Sequence, residues 1–136
     1  MARKPKAFVL DTWSVMAYLE DEPAGEQVES LIADAHESGI PLMMSVVNVA
    51  EVWYGFARRS SEDKANQGVS ELKQLGIEFV DADLKLALEA ARFKARRRMS
   101  LADCFAAALA KENKAELVTG DQEFKQAESE VKILWV

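Results

Sequence analysis

Apolar positions recur along this chain in two rhythms, short continuous runs and longer stretches at helical spacing, and the two alternate from one end to the other. Lys6 to Leu10 predicts a short buried strand, after which the chain turns at Asp11-Thr12 into an apolar-periodic segment, Ser14 to Glu20, that predicts a helix. Pro23 and Gly25 interrupt it. Val28, Leu31, Ile32 and Ala35 then follow at helical spacing until Gly39 and Pro41 stop that helix. Leu42 to Met44 predicts a second strand, and Val46 to Phe56 a third helix with Val47, Ala50 and Tyr54 on one face. A polar stretch, Arg58 to Asn66, leads into a helix over Lys64 to Leu75, with Gly76 placed to end it in a left-handed turn. Ile77 to Val80 predicts the third strand. Two helices follow, near Asp83 to Arg98 and Leu101 to Asn113, and the strands Glu116 to Thr119 and Val131 to Trp135 complete the pattern, with a short helix after Asp121. Strands alternating with helices call for a parallel sheet covered on both faces, hence a compact three-layer α/β/α domain.

At 136 residues and 49% hydrophobic, the chain fits one globular domain over residues 1–136, expected to bury roughly two thirds of its unfolded surface. The N-terminal basic residues are followed by too short an apolar run for a signal peptide, and no segment approaches the roughly 18 apolar residues of a membrane span, so a cytoplasmic protein is expected. The single cysteine, Cys104, cannot form an internal disulfide or a thiolate metal site alone, and is expected on a buried helix face. A net charge of −6 argues against binding nucleic acid mainly through a basic surface. Cations are nevertheless clustered: Arg92, Lys94, Arg96, Arg97 and Arg98 fall within seven residues, with smaller groups at Arg3, Lys4 and Lys6 and at Arg58 and Arg59. They fit either solvated helix ends or the rim of a nucleic-acid cleft.

Four carboxylates fall at informative places. Asp11 ends the first predicted strand and Asp121 follows the strand Leu117-Val118-Thr119, so both point to the edge where parallel sheets bind ligands. Asp103 lies in the first turn of its helix, and Glu51 lies inside the third helix among Ala50, Val52, Trp53 and Tyr54. Each aspartate also fits a structural role as a helix cap, Asp103 within the capping-box pattern Ser100-Leu101-Ala102-Asp103. A partly buried Glu51 has no such excuse and calls for a metal, a cation or a raised pKa. If the four converge, their repulsion must be offset, and an all-oxygen site suits Mg²⁺ or Mn²⁺. His36, the only histidine, is expected on an exposed helical face, so nothing points to zinc. Such a site would activate water against a scissile phosphate.

In four blocks, Val9-Leu10-Asp11-Thr12-Trp13-Ser14, Asn48 through Gly55, Ser100 through Ala107 and Thr119 through Phe124, the chain resembles the PIN-domain ribonucleases, and among them the VapC-type toxins of toxin–antitoxin systems. The resemblance implies a sandwich around a five-stranded parallel sheet and a divalent-metal-dependent endoribonuclease activity on RNA. It implies that Asp11, Glu51, Asp103 and Asp121 form an acidic quartet, with Asp11 and Asp103 as direct metal ligands and Thr119 as the accompanying hydroxyl residue. It also implies a homodimer and a cognate antitoxin whose tail fills the acidic cleft. Trp53, Tyr54 and Phe56 are candidate interface anchors, with core packing the expected role for at least two of them. Two points stay open: whether Thr12 or Ser14 supports the site, and whether Glu123, taken as peripheral, reaches the metal.

Two other classes of function compete. One is a binding module for RNA or protein on the same fold without catalysis, since fold alone is no warrant for activity. The other is a phosphatase using Asp11 as an aspartyl nucleophile, which Trp13 disfavours because such enzymes usually carry a second aspartate at that position.

Overall fold

The computed structural model describes residues 4–136; Arg3 of the N-terminal basic group lies outside them. Strands β1 (Phe8–Leu10), β2 (Leu42–Ser45), β3 (Ile77–Val80), β4 (Glu116–Thr119) and β5 (Ile133–Trp135) form one five-stranded sheet, every pairing parallel, in the order β3-β2-β1-β4-β5. Helices α1 (Thr12–Leu19), α2 (Gly25–Ser38), α3 (Val46–Arg59), α4 (Glu62–Gln74), α5 (Leu84–Arg96) and α6 (Leu101–Asn113), with a 3₁₀ helix over Gln122–Ala127, connect and cover it. The expected three-layer α/β/α architecture is therefore present.

Alternation along the strands divides the core in two. Phe8, Leu10, Leu42, Met44 and Val118 point to one face, where Val15 of α1, Val28, Ile32 and Ala35 of α2, Val52 of α3 and Leu72 of α4 meet them. Val9 and Leu117 point to the other, against Leu86, Ala90 and Phe93 of α5 and the run Cys104 to Ala110 of α6. Helix α6 is buried on all sides from Ala102 to Ala110, and its five alanines in that span let it approach the sheet closely. Cys104 is fully buried there, as expected. Both faces of every central strand are covered, which is why these strands read as unbroken apolar runs.

Local signals set the element ends. Gly39 and Gly76 take left-handed φ values of 68° and 79° at the ends of α2 and α4. Helix α1 begins at Thr12 rather than Ser14, because Asp11 caps it by accepting the Ser14 N–H. On α3, Val47, Ala50 and Tyr54 do share a face, but Ala50 and Tyr54 are exposed; Asn48 and Val52 form the buried stripe. Phe56 packs into the core and Trp53 is half-buried, its indole N–H donating to Asn66 Oδ1 at 2.9 Å. Tyr54 alone of the three candidate anchors is free, 44% exposed beneath the Arg58 guanidinium.

Candidate active site

The sheet order makes β1 and β4 neighbours although the chain leaves β1 toward β2 on one side and leaves β4 toward β5 on the other. Loops diverge at such a switch point and leave a crevice beyond the strand ends. Asp11 follows β1 there, and Asp121 follows β4 by one intervening glycine. Asp11 is fully buried with both oxygens occupied. Its Oδ1 accepts the Ser14 N–H at 2.8 Å, and its Oδ2 accepts the Thr119 hydroxyl at 2.5 Å. Thr119 Oγ1 in turn accepts the Asp121 N–H at 3.0 Å, so one hydroxyl fixes the relative positions of two acids 110 residues apart in sequence.

Asp103 enters the crevice from α6. Ser100 is the cap of that helix, accepting the Asp103 N–H at 3.1 Å; among the described residues no helix N–H donates to the Asp103 carboxylate, so capping does not account for it. Asp121, by contrast, does cap the 3₁₀ helix through Oδ1 and the Glu123 N–H at 2.9 Å, which leaves Oδ2 without a backbone donor. Glu51, half-buried on α3, accepts the Thr12 hydroxyl at 2.6 Å. Thr12 thus supports Glu51, while Ser14 supports Asp11: both hydroxyl residues take part, each at a different acid.

Carboxylate oxygens of Asp103, Asp121 and Glu123 lie within 4.8 Å of one another. Glu123, expected at the periphery, therefore shares this centre, while Asp11 and Glu51 stand outside that trio. The electrostatics tie the other two in. Burial raises the Asp103 pKa from 3.8 to about 7, reinforced by the charges of Asp121, Asp11 and Glu51. Burial likewise raises Asp11 to about 6, against the hydrogen bonds from Thr119 and Ser14 that favour its charged form. Among the described residues none of the five acids has a Lys or Arg within ion-pair distance. A cluster of uncompensated carboxylates, all oxygen donors, has the chemistry that Mg²⁺ or Mn²⁺ requires.

One contributor escaped the sequence reading. Asn48, fully buried on α3, donates from Nδ2 to Thr12 Oγ1 at 3.1 Å and to the Ala102 carbonyl at 3.3 Å, joining Glu51's supporting hydroxyl to the first turn of α6. Its Oδ1 is buried without a partner among the described residues. The available signal was its place three residues before Glu51, one helical turn away on the same side. The basic cluster divides: Arg92 and Arg97 pair with Glu89 and Glu130, and Lys94 donates to the Met99 carbonyl, whereas the Arg96 and Arg98 side chains have no ion pair among the described residues.

A family model described as PIN domain matches residues 8–130. The chain belongs to the PIN domain family. Solved structures of similar fold include DNA-bound VapBC from Salmonella typhimurium, with a TM-score of 0.78 at 18% identity, covering 94% of this chain and 96% of that one. VapBC2 from Rickettsia felis bound to a promoter DNA fragment gives 0.77 at 16% identity over 94% and 97% of the two chains. VapC20 of Mycobacterium tuberculosis, a sarcin–ricin-loop-cleaving toxin, gives 0.69 at 19% identity over 89% and 95%. No curated protein sequence matches the chain. Among the described residues no helix is long and apolar enough to cross a membrane.

Proposed function

We propose that this chain is a divalent-metal-dependent endoribonuclease of the cytoplasm and the toxin of a toxin–antitoxin pair. The observation that carries the reading is the convergence of uncompensated carboxylates from β1, α6 and the segment after β4 on one crevice at the switch point of the sheet. Asp103 and Asp121 of the expected quartet, joined by Glu123, would hold Mg²⁺ or Mn²⁺ directly, with the quartet's other two members, Asp11 and Glu51, beside them. Bound there, the ion would supply a water of lowered pKa and charge stabilisation at the scissile phosphate. The chain's own residues do the positioning: Thr119 holds Asp11 and Asp121 in register, and Thr12 with Asn48 holds Glu51. Buried Asp11, its oxygens already engaged, acts as an anchor of the negative field.

An acidic crevice without internal cations also suits a basic side chain from a partner, which is how an antitoxin tail would silence it. The VapBC relatives are themselves toxin–antitoxin complexes, which supports that partner. Tyr54 on α3 and, separately, Leu84 and Leu88 on α5 are exposed apolar residues, and a homodimer contact would cover one of these two surfaces. The test is cleavage of a structured RNA by purified protein in Mg²⁺ or Mn²⁺, with EDTA and with Asp103→Asn. Cleavage that needs the metal and is lost in the variant supports the reading. Equal cleavage by wild type and variant refutes it, and a folded, metal-binding protein that cuts no RNA would favour the non-catalytic binding module.

A further inference from the structure

Trp13 stands where the acidic centre meets solvent. It occupies the first turn of α1 between two residues tied to that centre, Thr12, which donates to Glu51, and Ser14, whose N–H donates to Asp11. Its backbone therefore cannot shift without loosening both acids. The outer edge of its indole lies on Gly120, between Thr119 and Asp121: a β-carbon at Gly120 would come within 2.2 Å of Trp13 Cη2 and 2.4 Å of Cζ3. Only glycine leaves room for the ring there. Despite this anchoring, Trp13 remains 37% exposed, while the chain's other tryptophans are half-buried. A rigidly held, partly open indole beside a cluster of carboxylates offers a neutral π-surface of fixed orientation at the mouth of the acidic centre.

We propose that Trp13 is a positioning residue of the site, a stacking platform on which one nucleobase of the RNA lies beside the acidic centre. This rests on the ribonuclease reading above. A chain of net charge −6 with an acidic crevice gains little from phosphate contacts close to the centre. A neutral aromatic surface supplies affinity without adding a cation that would compete with a metal, and every base offers it a π-face. In a duplex those faces are already stacked, so only an unstacked base reaches the indole.

The test is binding, by fluorescence anisotropy in Ca²⁺, of an oligoadenylate of about eight nucleotides and of an abasic oligonucleotide with the same backbone. Wild type binds the base-bearing strand more tightly than the abasic one. Trp13→Leu, which still fills the space over Gly120, loses about tenfold or more on oligoadenylate and nothing on the abasic strand, whereas Trp13→Phe keeps most of the preference. Gly120→Ala, which displaces the ring, behaves like Trp13→Leu. Equal affinities of the Leu and Phe variants for oligoadenylate, or a wild type that does not distinguish the two strands, overturn the proposal. Both variants are first required to keep the wild-type response of melting temperature to Mn²⁺, which separates stacking from collapse of the site. Failure of wild type to cut any RNA in Mn²⁺ sinks the ribonuclease reading itself, and is seen in a different assay.

Discussion

Removing one charge from the acidic centre should make the metal-free protein more stable while destroying its response to metal. Asp103 is only 8% exposed, and its pKa rises from the ordinary 3.8 to about 7, first through burial and then through Asp121 and Asp11. At 1.36 kcal/mol per pH unit, ionising it in the fold costs about 4 kcal/mol at most. Asp11 is raised as well and shares the repulsion, so the gain from Asp103→Asn at pH 8 should be about 2 kcal/mol, or roughly 5–10 °C in melting temperature. The folded state holds this proton more tightly than the unfolded state does. Wild-type stability is therefore fully retained below about pH 4, is lost as pH rises toward about 7, and then levels off, whereas the asparagine variant keeps only the part of that fall owed to Asp11, which ends near pH 6. The assay is thermal unfolding by circular dichroism in EDTA from pH 4 to pH 8. A variant no more stable than wild type at pH 8, or equally stabilised at pH 4, would refute the account of a cluster strained by its own charge.

Four further outcomes are expected. Mn²⁺ at a hundredfold excess over Kd should stabilise the wild type by about 2.7 kcal/mol at pH 8, seen as a raised melting temperature, and should leave Asp103→Asn unmoved; thermal shift checks this. Thr119→Val removes the donor to Asp11 Oδ2 and the acceptor of the Asp121 N–H, and should cost about 2–4 kcal/mol in urea unfolding. Two glycine substitutions should differ in sign. Gly25→Ala, whose β-carbon would meet the Ala17 carbonyl oxygen at 2.6 Å, should destabilise the α1–α2 packing by about 1–3 kcal/mol, while Gly55→Ala on α3, with only an Arg59 side chain near at 3.9 Å, should stabilise by about 0.5–1 kcal/mol. Phe93→Ala, emptying a fully buried position under Arg97, should cost about 3–5 kcal/mol by denaturant titration.

Elements were legible because each is announced locally. Leu101–Asn113 begins after a serine cap, and Leu42, Ile77 and Glu116 open strands that follow glycine, proline or alanine turns. Acids at strand ends could also be read, since a parallel sheet sends all its carboxyl ends one way and Asp11 and Asp121 had to face the same edge. What stayed hidden depends on side-chain packing across distant segments. Nothing at position 123 separates a peripheral glutamate from one whose carboxylate lies within 4.8 Å of Asp103 and Asp121, because that proximity depends on how the short 3₁₀ helix after Asp121 sits against α6. The Asn48 bridge to Thr12 and Ala102 needs three helices in place before it exists. Likewise the apolar face Val47-Ala50-Tyr54 satisfies helical spacing, but hydropathy gives no hint that the helix buries Asn48 and Val52 instead.

The Thr119–Asp11 hydrogen bond joins residues 108 positions apart, and β4, which carries Thr119, is among the last strands to be made. A ribosome that has delivered the chain as far as α6 has therefore made Asp11 without the hydroxyl that orients it, and Asp103 without Asp121 beside it. The crevice closes only when β4 slides in next to β1, a pairing of high sequence separation and so among the slowest events of folding. Built this way, the chain carries its own delay: the acidic centre cannot act until β4 and the segment carrying Asp121 have been made and have docked beside β1.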